Sequence, residues 1–299
     1  MSFFGASAEV FRLYEQGRFA DALTVVAGLR DRFPAEDATI TFWEACLLSM
    51  DGTPGAALSV LQRGLGRGLW WSEAMLADPD LDAVRPLTSW VEFLKESDGR
   101  AMGATPTRPG PTVRVPTVPD PKGIVVALHG GQANIRAHAD QWLTAVPGDW
   151  GVVSPVGTVP ATIDRWSWPP VDGDAVEAVL GQVPGLDWQQ RIVLCGYSQG
   201  GRVAISLAAR TPSRPHGLIL FAPAVRAPAL PSAPEVPTFI HIGDRDWSLA
   251  GVDALARAMG ERGTPVHVER IAGFGHAMPE DPAPVLDRAL AWFASLRGD

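Results

Sequence analysis

The chain has 299 residues, is 46% hydrophobic and carries a formal net charge of −8. That length gives one large domain or two unequal ones, with enough apolar material for a sizeable core. The acidic balance, with no run of Lys or Arg, excludes nucleic acid and anionic membrane surfaces as electrostatic partners.

The N-terminus, Met1-Ser2-Phe3-Phe4-Gly5, has no basic start and no long apolar core, and charges follow at Glu9 and Arg12. No signal peptide and no membrane-spanning run is read, so the expected location is cytoplasmic. Cys46 and Cys195 lie far apart and are expected to be reduced, buried thiols rather than a disulfide framework.

Residues 1–102 read as helical. Leu13, Gly17, Ala22 and Leu23 recur as Leu48, Gly52, Ala57 and Leu58, an offset of 35. Each set describes a helix, a Gly turn and a second helix, with small Ala admitting a close neighbour and Leu filling the groove. Residues 5–66 thereby resemble tetratricopeptide repeats, helical hairpins of about 34 residues. The stretch from Trp70-Trp71-Ser72-Glu73 to Leu94 adds further helices, with Asp78-Pro79-Asp80 as a turn and cap. Residues 103–111, rich in Gly, Pro and Thr, read as a linker.

From 112 to 299 the pattern changes. Strands are predicted at Thr112–Val115, Gly123–Leu128, Gly151–Ser154, Arg191–Cys195, Leu218–Phe221, Thr238–Ile242 and Val266–Arg270. Most are continuous β-branched or Leu-rich runs, which suits strands buried on both faces of a mainly parallel sheet. Helices are predicted between them at Arg136–Val146, Asp174–Gln182, Gln199–Arg210, Ala250–Arg262 and Ala283–Leu296. Strand–helix alternation of this kind defines an α/β domain.

Gly196-Tyr197-Ser198-Gln199-Gly200 lies between a predicted strand and a predicted helix. Such a turn forces Ser198 into strained backbone and holds its hydroxyl proud of the sheet, while Gly196 and Gly200 avoid collision where strand and helix cross. The Gln199 N–H, at the helix start, is a candidate oxyanion donor. A second donor is expected from His129-Gly130-Gly131-Gln132 after an earlier strand, with Gly131 N–H as the choice and Gln132 as the alternative. His129 itself is expected to bond its own loop. An acid and a base should follow the nucleophile in chain order. Asp244 and Asp246 compete for the first role after strand Thr238–Ile242, and His276 follows the last strand in a Gly-rich loop.

These motifs resemble α/β-hydrolases of the carboxylesterase/phospholipase and dienelactone-hydrolase-like group, over residues 110–299. Leu128-His129-Gly130-Gly131 is similar to that group's oxyanion loop, Gly196-Tyr197-Ser198-Gln199-Gly200-Gly201 to its nucleophile elbow, and Gly275-His276 to its base. The resemblance places the acid three residues after Gly243, at Asp246. It implies a Ser198–His276–Asp246 triad, acyl-enzyme chemistry on small or medium acyl esters, and neither metal nor organic cofactor. Dienelactone hydrolases proper carry Cys where this chain has Ser198, a departure that sets it apart from that activity. The fold implied is an α/β-hydrolase preceded by an all-α helical-hairpin domain.

Gln132, Trp166, Trp168 and Trp247 fall in loops that this fold brings near the nucleophile, so they are expected to form a substrate pocket with aromatic walls. Three roles stay open for the helical domain: binding a protein partner, self-association, or capping the catalytic mouth. Two other functions stay open: a serine peptidase or thioesterase with the same triad, and a helical-repeat binding module with a secondary hydrolase domain.

Overall fold

The computed structural model describes residues 3–104, 108–169, 191–210, 215–226 and 233–296. They divide into two units, one made of Met1–Thr107 and Pro160–Arg165, the other of Arg108–Val159 and Trp166–Asp299. Pro160–Arg165 groups with the helices rather than with the residues that flank it in the chain.

In the first unit the Ala- and Leu-rich stretches form α1 (Phe3–Glu15), α2 (Phe19–Ala27), a short α3 (Leu29–Arg32), α4 (Asp37–Met50), α5 (Pro54–Gly66), a short α6 (Glu73–Leu76) and α7 (Trp90–Ala104). The 35-residue offset in the sequence is visible in the turns. After α1, Gly17 takes φ 69°, its N–H donates to Tyr14 O, and Arg18 N–H donates to Leu13 O. After α4, Gly52 takes φ 82°, its N–H donates to Ser49 O, and Thr53 N–H donates to Leu48 O. Both are glycine-terminated helix ends of the left-handed kind.

Helix α4 is apolar nearly all round and is buried accordingly. Its Ile40 and Leu47 pack with Val10, Leu13, Ala22 and Val26. Its Phe42 and Ala45 pack with Leu58, Leu61, Trp71 and Phe93. Trp71 is fully buried and its indole N–H donates to Ala38 O at 3.0 Å. Gly64 makes room for that indole, since a Cβ there would lie 2.5 Å from Trp71 Cη2. Asp78 does cap the Pro79–Leu81 turn, accepting from Asp80 N–H at 3.0 Å. Phe11 is half exposed and meets Trp43 edge-on. Segment Pro160–Arg165 joins this unit through Ala161 O, which accepts from Ser72 N–H at 2.8 Å, and through an Arg165–Glu36 ion pair.

The second unit is built on a sheet of β1 (Thr112–Arg114), β2 (Gly123–Leu128), β3 (Trp150–Ser154), β4 (Ile192–Tyr197), β5 (Gly217–Phe221), β6 (Thr238–Gly243) and β7 (Val266–Ile271). Their order across the sheet is β1-β3-β2-β4-β5-β6-β7. β1 runs antiparallel to β3 and the other pairs are parallel. The helices are α8 (Ile135–Ala145), α9 (Gln199–Arg210), α10 (Leu249–Glu261) and α11 (Ala283–Ser295). The expected helix Asp174–Gln182 lies outside the described residues.

Alternation along each strand feeds two cores. Val126, Leu128, Leu194, Leu220 and Ile240 pack with Val203 and Leu207 of α9 and Val252 and Leu255 of α10. Val125, Ala127, Val193, Cys195, Ile219 and Phe239 pack with Trp142 of α8 and Leu286 and Phe293 of α11. A sheet covered on both faces needs apolar residues at every position, which is why the strands read as continuous runs. Edge strand β1 is anchored by Arg114, whose guanidinium donates to Leu143 O, Val146 O and Pro147 O at the C-terminal end of α8. Cys46 and Cys195 are buried and unpaired. No described helix is long and apolar enough to cross a membrane.

The parallel strands end on the same side, so the loops after β2, β4, β6 and β7 gather at one edge of the sheet. At Gly17 and Gly52, a Cβ would meet nothing within 4 Å. Gly17→Ala and Gly52→Ala should therefore each cost the left-handed backbone penalty alone, about 1–2 kcal/mol. Urea unfolding should show two similar, additive losses.

Candidate active site

Ser198 sits where β4 ends and α9 begins. Its φ is 51°, a left-handed conformation that is unfavourable for a residue with a Cβ. The turn is held from both sides. Ser198 N–H donates to Phe221 O at 3.0 Å, and Ser198 O accepts from Ala224 N–H at 2.9 Å and Arg202 N–H at 3.2 Å. The glycines are required sterically. A Cβ on Gly196 would lie 2.5 Å from the Gly200 backbone, and one on Gly200 would lie 2.1 Å from Leu128 O.

The loops after β6 and β7 are pressed together. A Cβ on Gly243 would lie 2.1 Å from Phe274 O, and Arg245 N–H donates to that same carbonyl at 2.9 Å. This contact brings Asp246 to His276. His276 Nδ1 lies 2.9 Å from Asp246 Oδ2 and 3.1 Å from Oδ1, and His276 Nε2 lies 2.9 Å from Ser198 Oγ. A carboxylate at Nδ1 makes that nitrogen the N–H donor, which leaves Nε2 to accept the serine proton.

Asp246 also accepts from Ser248 N–H at 2.7 Å and Ser248 O–H at 2.8 Å. Burial opposes its ionisation, but the bonds from His276 and Ser248 outweigh it and hold the carboxyl below its ordinary value. Asp244 does something different. Its Oδ1 accepts from Gly273 N–H at 2.8 Å and so pins the loop that leads to His276. Ser248 and Tyr197 went unremarked in the sequence. The two-residue spacing from Asp246 to Ser248 is an Asx-turn pattern that would have flagged the first. The Tyr197 O–H donates to His276 O at 3.3 Å, and burial pushes its phenol pKa up, so it stays a neutral donor.

His129 bonds its own loop. It is fully buried, with Nδ1 2.7 Å from Gly130 O, and Nε2 accepts from Gly157 N–H at 2.9 Å. The second bond places the proton on Nδ1, and burial pushes the imidazole pKa down to about 4. Gly131 lies against Gln199, where a Cβ would sit 3.0 Å from Oε1. Gln132 has φ 56°, and its N–H donates to Ser167 Oγ at 2.9 Å, so that amide is engaged within the protein.

The tryptophans divide. Trp247 is half exposed, lies 4.9 Å from the His276 ring and carries Arg226 Cζ 4.9 Å above its own ring. Trp166 and Trp168, expected as pocket walls, are 5% and 2% exposed. Trp166 packs with Ile135 and Val156, and Trp168 stacks on His129 at 4.6 Å. Trp168 backs the His129–Gln132 loop, donating its indole N–H to His129 O at 2.7 Å, and both indoles gain more from a closed apolar setting than from solvent. Among the described residues, the one cluster of metal-ligating side chains is Cys46, Asp78 and Asp80 in the helical unit. Its carboxylates are already used, Asp78 as a cap and Asp80 as acceptor for Tyr14 O–H.

Residues 174–292 match the model of the dienelactone hydrolase family, a span that includes Ser198, Asp246 and His276. No curated protein matches the chain. Among solved structures, an uncharacterized protein from Bacillus cereus is similar over 98% of this chain and 99% of its own, with TM-score 0.51 and 18% identity. Esterase PE8 covers 63% of this chain and 98% of its own, with TM-score 0.45 and 22% identity. The esterase Est2 from Thermogutta terrifontis covers 62% and 87%, with TM-score 0.46 and 17% identity. The likeness to the Bacillus cereus protein is one of fold, and the mainly parallel sheet covered by helices fits the α/β-hydrolase architecture.

His138 is also buried, and burial, reinforced by nearby His129, pushes its pKa down to about 3. Native His129 and His138 therefore stay neutral where the unfolded chain takes up protons. Their contribution is fully present above the ordinary imidazole value of 6.5 and is lost as pH falls toward about 4. Unfolding free energy should fall between neutrality and about pH 5, and His138→Gln should make that fall shallower.

Proposed function

We propose that this chain is a serine carboxylic-ester hydrolase acting on small or medium acyl esters. One observation carries the reading: a continuous hydrogen-bonded line from buried Asp246 through His276 to a serine held in left-handed backbone at a strand-to-helix turn. The match to the dienelactone hydrolase family over residues 174–292 supports the same chemistry.

In the proposed reaction Ser198 Oγ attacks the ester carbonyl carbon while His276 Nε2 takes its proton. Asp246 stabilises the imidazolium and fixes its orientation. The tetrahedral oxyanion is held by the N–H groups of Gly131 and Gln199, each worth about 3–4 kcal/mol in comparable sites. Collapse breaks the bond to the alcohol, which leaves with the proton from His276. Water then attacks the acyl-enzyme by the same route, with His276 as base, and releases the acid. Every atom and proton is accounted for without a metal or organic cofactor. Trp247 and the half-exposed Phe274 offer apolar surface for the acyl or alcohol part.

On the same reading the helical unit is a tetratricopeptide-like pair of hairpins that receives a protein partner or a second copy of the chain. The matching hydrogen bonds at Gly17 and Gly52 support it. A cytoplasmic setting belongs to the same reading, supported by two unpaired, buried thiols.

Ser198→Ala should lower hydrolysis of short-chain activated esters by about three orders of magnitude or more. Retained turnover in that variant would sink the reading. Asp246→Asn should cost about 10⁴-fold in kcat. Asp244→Asn should leave kcat nearly unchanged, because the side-chain amide oxygen still accepts from the Gly273 N–H. The opposite ranking would reassign the acid. A panel of matched esters, thioesters and amides measures which acyl bond the site prefers.

A further inference from the structure

The two proposed oxyanion donors sit on different segments. Gly131 is on the loop after β2, and Gln199 is the first residue of α9. Their N–H groups can share one oxygen only if the spacing between the segments is fixed to a fraction of an ångström. Residues Trp166–Trp168 bond to both.

Toward the loop, Ser167 Oγ accepts from Gln132 N–H at 2.9 Å, and the Trp168 indole N–H donates to His129 O at 2.7 Å. The Trp168 ring lies over the His129 imidazole at 4.6 Å with 26° between the planes. Toward the elbow, Gln199 Oε1 accepts from Trp168 N–H at 3.2 Å, and Gln199 Nε2 donates to Trp168 O at 3.3 Å. The side-chain amide thus pairs with the backbone of one residue as a second strand would. Gly157 closes the rear: its N–H bonds His129 Nε2 at 2.9 Å, and a Cβ there would lie 2.2 Å from Ser167 O.

This circuit requires Gln. Glu has no donor for Trp168 O and would set a carboxylate against that carbonyl. Asn is one methylene shorter. Both ends of the Gln199 amide are engaged with Trp168, so the side chain is not spare for a substrate. We propose that the Gln199 side chain, with Ser167 and Trp168, is a positioning device that sets the spacing of the two oxyanion donors. It acts through the Trp166–Trp168 strap and never touches the reacting atoms. This inference rests on the ester-hydrolase reading above.

The test separates transition-state binding from substrate binding. An aryl trifluoromethyl ketone forms a hemiketal with a serine nucleophile and places a true oxyanion between the donors, whereas KM for a short-chain ester reports mainly the ground state. Gln199→Met keeps the length and removes both hydrogen bonds. It should lower kcat about tenfold and raise the ketone inhibition constant about tenfold, with KM within about twofold. Trp168→Phe keeps a stacking ring but loses the indole donor, and Ser167→Ala loses the acceptor for Gln132. Both should shift the same two quantities in the same direction. If Gln199→Met does not fold, as judged by circular dichroism and Tm, these two variants carry the test.

A parallel rise in KM and the ketone constant would make Gln199 a substrate contact and overturn the proposal. So would folded variants with unchanged ketone binding. A fluorophosphonate probe on the unaltered chain separates the two levels. No label at Ser198 brings down the hydrolase reading itself, whereas a labelled chain with unchanged ketone binding in the variants brings down only the positioning role.

Discussion

How closely β4 and α9 cross decides almost everything at the site. The backbone of Gly200 comes so near Leu128 O that even a methyl group would collide, and Gly196 meets Gly200 in the same way. Three consequences follow from that approach. Ser198 is pushed into left-handed backbone, its hydroxyl is lifted clear of the sheet, and the Gln199 amide is left at a helix start. A looser crossing would relax the serine and remove all three. The strain persists because bonds to Phe221 O and from Ala224 N–H over-determine the turn.

The other half of the site depends on a second close approach, between the loops after β6 and β7. Gly243 against Phe274 O closes the gap that Asp246 and His276 must span. The two aspartates then separate by environment. Asp246 is buried with the imidazole and the Ser248 donors, whereas Asp244 spends its carboxylate on a backbone amide. Three residues of chain thus hold two acids with unrelated partners, one the His276 imidazole and one a loop amide. Low dielectric around Asp246 makes its pairing with His276 strong and would make its loss costly.

Much of the site was legible because its signals are local. A buried strand, a Gly-flanked Ser and an amphipathic helix lie within about twenty residues, and local patterns of this kind are what sequence periodicity reports. The Gly17 and Gly52 repeat was legible for the same reason, since a left-handed helix end has a strong residue preference. The tryptophans were not. Trp166 and Trp168 carry the same side chain as Trp247, yet two are buried and one is half exposed. Nothing in the run Asp164-Arg165-Trp166-Ser167-Trp168 says which ring finds a partner, because the partners His129, Ile135 and Val156 are distant in the chain.

By itself the sequence determined the α/β character, the strands that build the sheet, the order Ser198, Asp246, His276, and the glycines that the elbow demands. These follow from hydrophobic period and from the few residues that tolerate particular backbone angles. Tertiary structure alone decided the rest. It grouped Pro160–Arg165 with the helices, gave the Asp244 carboxylate to the Gly273 amide, and bound Gln199 to Trp168. The reason is physical: each of these is a choice among partners remote in sequence, settled by which donors and acceptors packing leaves facing one another, and no local pattern records that.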